Sequence, residues 1–163
     1  MNPDTPISAN RKSQTIGYLA SFVITLTVVL IFTPGDWYLA ANKPIWAPPG
    51  WLLTLLWVAS CALLAVLAWQ ARDATGIPAR WAMYRLILAI LLFWVWWWLF
   101  FGLHRIGWSI AIQTIAVLVT ATLLGRGNLS GRMGRWLLLL WCGYLWVLNY
   151  LIWTYNGGGL SGF

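Results

Sequence analysis

Long apolar runs broken by short polar punctuation dominate the chain. Reading between charges and Pro/Gly breaks gives five stretches of about twenty residues, the length one helix needs to cross a bilayer core roughly 30 Å thick. They cover about 13–32, 50–71, 82–103, 107–124 and 133–155. The first ends at Thr33-Pro34-Gly35-Asp36, the second is entered through Pro48-Pro49 and closed by Arg72-Asp73, and the third stops at His104-Arg105. The runs are apolar on every side, whereas membrane β-strands would alternate over about ten residues. The pattern predicts an all-α integral membrane protein, a five-transmembrane-helix bundle in a single domain spanning 1–163. The first run exceeds the roughly 7–15 apolar residues of a signal peptide and no small-x-small site follows closely, so it reads as a retained helix.

Composition agrees with the pattern. Hydrophobic residues form 61% of the chain and charged residues 8%, against about a quarter charged in a soluble domain. That excludes a soluble protein and a disordered one, and two cysteines exclude a disulfide scaffold. Ten Lys or Arg against three acids give a net charge of +7. Arg11, Lys12, Arg72, Arg80, Arg85, Arg126, Arg132 and Arg135 fall on one side of the predicted bundle, and only Lys43 and Arg105 on the other. Positive residues stay cytoplasmic, so the N-terminus is expected in the cytoplasm and the C-terminus opposite, in a bacterial cell membrane. Short basic clusters beside spans read as topology signals and anionic-lipid contacts, with no nucleic-acid partner implied.

Fifteen tryptophans exceed what membrane anchoring needs. Trp37, Trp81 and Trp153 sit near span ends, where indoles favour the interface. Trp57, Trp94, Trp96, Trp97, Trp98, Trp141 and Trp146 lie deeper. Buried indoles carry N–H groups that want partners, which suggests either tight packing or a cavity for a large flat ligand. The segment 33–49 is the least generic: three prolines within six positions, Pro44, Pro48 and Pro49, follow Trp37-Tyr38 and flank Trp46. Prolines stiffen it and favour an extended path, as in a rigid aromatic lid or a plain interfacial loop.

Trp37-Tyr38, then Lys43-Pro44-x-Trp46-x-Pro48-Pro49-x-Trp51, then Trp57 six residues on, resembles the TspO/MBR family of tryptophan-rich sensory proteins and mitochondrial translocator proteins (formerly peripheral benzodiazepine receptors). Leu99-Phe100-Phe101-Gly102, and Trp141 with Leu148-Asn149, extend the resemblance to the third and fifth helices. It implies a five-helix bundle, a homodimer, and a pocket beneath the first loop. The ligand implied is a porphyrin or haem tetrapyrrole, or another flat apolar small molecule. Trp57 and Trp141 match pocket tryptophans implicated in light-dependent porphyrin breakdown; Trp37, Tyr38, Lys43, Pro44, Trp46, Pro48 and Pro49 match the lid; Phe100 matches the third-helix wall. The expected ligand-binding set is Trp37, Tyr38, Trp46, Pro48, Trp57, Phe93, Trp97, Phe100, Trp141 and Asn149. No cofactor beyond the tetrapyrrole ligand is required. Four positions depart from the family pattern: Cys61 replaces its Tyr, Phe93 its Asn, and Leu137-Leu138 its Pro-Tyr. The pocket should therefore be drier.

Other chemistry is sparse. His104, the single histidine, could ligate haem iron, though an interfacial histidine is the simpler account. Cys61 and Cys142 read as packing residues without an activating base. No metal-ligand spacing, catalytic triad or carboxylate pair is present, and no acid lies within a span. Gln113 and Asn149 could touch a ligand or tie helices together, and Gly17, Ser21 and Thr25 give the first helix a smooth face. The leading reading is a membrane receptor or sensor. Its rivals are an enzyme oxidising porphyrin under light, with Trp57 and Trp141 as the reacting indoles, and a sterol- or lipid-binding transporter.

Overall fold

The computed structural model describes residues 20, 23–71, 77–123 and 129–158. The side chains of Arg11, Lys12, Arg72, Arg80 and Arg126, and the Gly17 and Ser21 part of the small-residue face, lie outside what it describes. Among the described residues every regular element is helical: α1 over 23–31, α2 Asp36–Ala40, α3 Gly50–Ala71, α4 Ile77–Trp97 continuing as a π-helical turn Trp98–Gly102, α5 Ile106–Ala121, and α6 Leu129–Tyr155. Within them Gly50–Leu67, Met83–Gly102 and Arg132–Tyr155 are long and apolar enough to cross a membrane, and Ile106–Ala121 is a shorter apolar helix.

Two glycines set how closely the ends of the helices approach. A Cβ at Gly50 would stand 2.8 Å from Pro34 Cβ, so the exit of α1 rests on the first turn of α3. A Cβ at Gly102 would stand 2.9 Å from Phe32 Cδ1, so the same exit also meets the end of α4. The Trp97 indole donates to the Phe32 carbonyl at 2.8 Å, and Trp94 donates to Thr25 Oγ1 at 2.9 Å. These bonds hold α1 along α4.

The seam between α5 and α6 is joined by polar groups inside the apolar layer. Asn149 Nδ2 donates to Ser109 Oγ at 2.8 Å, and Gln113 Nε2 donates to the Cys142 carbonyl at 3.0 Å. Thr120 Oγ1 lies 3.8 Å from Cys142 Sγ. Ser109, Gln113 and Thr120 recur on one face of α5, all buried. Each such bond contributes about 0.6 kcal/mol in a membrane bundle, enough together to fix the register of this helix pair.

Candidate functional site

The loop between α1 and α3 is partly helical rather than extended throughout. Its first third coils into α2, because Gly35 leaves its carbonyl free to accept from Tyr38 N at 3.0 Å and Leu39 N at 3.3 Å. Lys43 closes the other end of this short helix. Its ammonium donates to the Tyr38 carbonyl at 2.6 Å and the Leu39 carbonyl at 3.1 Å, 4.9 Å from the Tyr38 ring centroid. A cation at a helix C-terminus satisfies carbonyls that lack an intrahelical donor. Lys43 therefore holds the lid together rather than offering a ligand an uncommitted charge. Replacing it with methionine should raise amide hydrogen exchange across 36–43 about tenfold, the equivalent of roughly 1.4 kcal/mol, as read by exchange mass spectrometry. Unchanged exchange would contradict this role.

Three further contacts fix the lid, one within it and two to the bundle. The Tyr38 hydroxyl donates to the Pro48 carbonyl at 2.9 Å, and burial pushes the phenol well above its ordinary pKa, so it stays a donor. Trp37 stacks on His104, ring centroids 4.7 Å apart, and meets Phe100 edge-on at 5.4 Å. Asn156, just past α6, accepts from Asn42 N at 3.0 Å and donates to its carbonyl at 2.8 Å. His104 makes its stack from the left-handed region, φ 55°, where histidine is enriched among non-glycine residues.

Beneath the lid the aromatic side chains form two groups. The inner one is enclosed. Trp57 and Trp97 are both 0% exposed with centroids 4.6 Å apart. Trp96 stacks on Phe100 at 5.4 Å, Phe101 lies 4.4 Å from Trp97, and Phe93 is buried against the same core. The π turn carries the two phenylalanines, with Leu103 N donating to the Trp98 carbonyl at 2.9 Å. Such turns recur at functional sites. The indole N–H groups of Trp57 and Trp96 are buried without an acceptor among the described residues. An enclosed unpaired donor costs about 1–3 kcal/mol.

The outer group is open. Tyr144 stacks on Trp141 with centroids 5.3 Å apart and an interplanar angle of 16°, while Trp46 leans against it from the lid at 5.4 Å. Beside them is a groove of about 700 Å³ lined by Trp46, Leu139, Leu140, Gly143, Tyr144 and Val147. That volume falls within the roughly 300–1,000 Å³ typical of small-molecule sites. The Trp141 N–H is also buried without an acceptor among the described residues.

Of the residues expected to bind ligand, Trp46 lines the groove and Trp141 stacks on Tyr144, which lines it too. Trp57, Phe93, Trp97 and Phe100 belong to the enclosed core, as does Tyr38, which is joined to Pro48, and the half-buried Trp37 packs against it from the lid. Asn149 is taken up by Ser109 in the α5–α6 seam. Sequence reasoning missed the other five lining residues, Leu139, Leu140, Gly143, Tyr144 and Val147. The available signal was helical spacing, which puts Tyr144 three residues after Trp141 on a shared face. Among the described residues no three His, Cys, Asp or Glu side chains gather as a metal site would require. The groove offers stacking faces, aliphatic walls and one phenol, and no general acid or base at neutral pH.

The sequence profile of the TspO/MBR family matches residues 15–154. The chain belongs to the TspO/MBR family. It is similar to the tryptophan-rich sensory protein of Cereibacter sphaeroides, 30% identical over 145 residues that cover 88% of this chain and 84% of that one. Protein CrtK of Rhodobacter capsulatus is 29% identical over 139 residues, covering 78% and 83% of the two chains. The human translocator protein is 26% identical over 132 residues, covering 77% and 78%. Membership and the apolar helices together make this TspO/MBR chain an integral membrane protein.

Proposed function

We propose that this TspO/MBR protein is a membrane receptor for a large, flat, apolar ligand, a tetrapyrrole first, which it takes up in the groove beneath Trp46. The observation that carries the reading is the pairing of Trp46 with Tyr144 at the mouth of an open volume of about 700 Å³. Aromatic faces there suit a planar ring, and aliphatic walls suit its edges. In this reading α1 and the 16-residue α5, about 24 Å long, complete five spans. The basic side faces the cytoplasm and the protein pairs as a homodimer.

Titration of the detergent-purified protein with protoporphyrin IX in the dark tests it, following Trp fluorescence and porphyrin absorbance. Binding should saturate in the low micromolar range and weaken about tenfold in Trp46→Ala or Tyr144→Ala, the loss of one stacked ring. Weakening in Trp57→Phe with normal binding in the other two variants would place the ligand in the inner cluster instead.

A second reading, photo-oxidation of the bound pigment by dioxygen, is favoured by the oxidisable Trp141 indole stacked on Tyr144, which lines the groove. Illuminating the complex in oxygen should then consume pigment faster than a protein-free control, and equal rates would remove this reading.

A further inference from the structure

The core-facing stripe of α6 runs Leu138, Cys142, Leu145, Asn149 and Ile152, all buried. Extended one turn toward the helix start, the same three-and-four spacing reaches Arg135, a charge on an otherwise inward face. Its neighbour Gly134 explains why it is partly enclosed. A Cβ there would stand 3.1 Å from Leu63 Cδ1, so α3 closes against α6 at this level. Nε and Nη2 of Arg135 are buried and have no hydrogen-bond acceptor among the described residues.

A guanidinium does not lose its proton and presents donors in a planar fork. Two enclosed, unanswered donors therefore call for a planar or tetrahedral oxyanion able to take both. The protein is poor in such groups. Of its three acids, Asp36 lies in the lid at the other end of α6, while Asp4 and Asp73 fall outside the described residues. Arg132, exposed and three residues earlier, faces the same side of the helix and adds a second fork. From Arg132 an exposed ridge continues through Trp136 and Leu140 at four-residue intervals, an indole followed by aliphatic surface. Trp favours the headgroup level of a bilayer.

We infer that Arg132 and Arg135 bind the phosphate of an anionic phospholipid, whose acyl chain lies along the Trp136–Leu140 ridge. The ridge selects a lipid over a free phosphate ion. The enclosed donors separate a built site from diffuse attraction, in which every arginine on that side would count alike. The far end of the ridge, Leu140, also lines the groove beneath Trp46, but the phosphate site at Arg132 and Arg135 does not depend on what that groove holds.

Native mass spectrometry of the full chain in non-ionic detergent, with phosphatidylglycerol and phosphatidylcholine supplied together, tests it. The wild type should retain phosphatidylglycerol about tenfold over phosphatidylcholine, as two arginines at a membrane surface allow. The Arg132→Gln/Arg135→Gln variant, melting like the wild type, should lose that preference, and Arg85→Gln should keep it. Equal retention of the two lipids by the wild type overturns the proposal whether or not the variant folds. It is overturned equally by an undiminished preference in the double variant, the result expected if Asp73 answers Arg135. A comparable loss in Arg85→Gln would reduce the effect to diffuse attraction and defeat the proposal. Displacement of the lipid by millimolar inorganic phosphate would show that the ridge plays no part.

Discussion

Replacing Trp97 with alanine should destabilise the folded protein by about 3–5 kcal/mol, the range for deleting a fully buried large aromatic. The indole is 0% exposed and touches Trp57, Trp96 and Phe101 at centroid distances of 4.6, 6.1 and 4.4 Å. It also donates to the Phe32 carbonyl, the bond that fastens the end of α1. Truncation would therefore open a cavity in the inner cluster and loosen α1 from α4 together. Trp97→Phe keeps one aromatic ring and loses the bond and the rest of the indole, so it should cost about 1–2 kcal/mol. Thermal unfolding in detergent, followed by near-UV circular dichroism, separates the two. If Trp97→Ala melted within a degree or two of the wild type, the inner cluster would not be the packed core described here.

Gly143→Leu should have the opposite profile, near-normal stability with binding reduced by about ten- to a hundredfold. A Cβ at Gly143 meets nothing within 4 Å, although the residue sits in the middle of α6. The space beside it is the groove itself. A helical glycine costs roughly 0.5–1 kcal/mol relative to alanine, so a larger side chain here relieves a backbone penalty without crowding the fold. It does crowd any ligand, and overpacking of a formed site costs about 1–3 kcal/mol. The melting temperature should hold or rise. A fall of several degrees would mean that the groove closes in solution around something the substitution disturbs.

The helical, membrane-embedded character was legible because apolar runs of about twenty residues admit few other structures. The family was legible from the spacing of Trp37-Tyr38, Lys43-Pro44 and Pro48-Pro49. The π turn was not. Leu99-Phe100-Phe101-Gly102 reads equally well as the end of an α-helix, and the choice is made by tertiary contacts such as Phe32 against Gly102. The coil of α2 was hidden because proline stiffness in the second half of the loop says nothing about Asp36–Ala40. The two-part aromatic arrangement was hidden too. Residue type marks Trp57, Trp97 and Trp141 alike, and only packing decides which ring is enclosed and which lies beside an open groove. Asn149 shows the same limit from the polar side. An amide inside a span needs a partner, and Ser109 forty residues away supplies it.

The most direct test of the central claim, that the groove beneath Trp46 is where a flat apolar ligand binds, is a parallel dark titration of wild type, Gly143→Ala and Gly143→Leu with protoporphyrin IX. Wild type and Gly143→Ala should bind saturably, because one methyl group enters open space, and a well-folded Gly143→Leu should not. Wild-type affinity in Gly143→Leu would contradict the claim and move the site away from this face of α6.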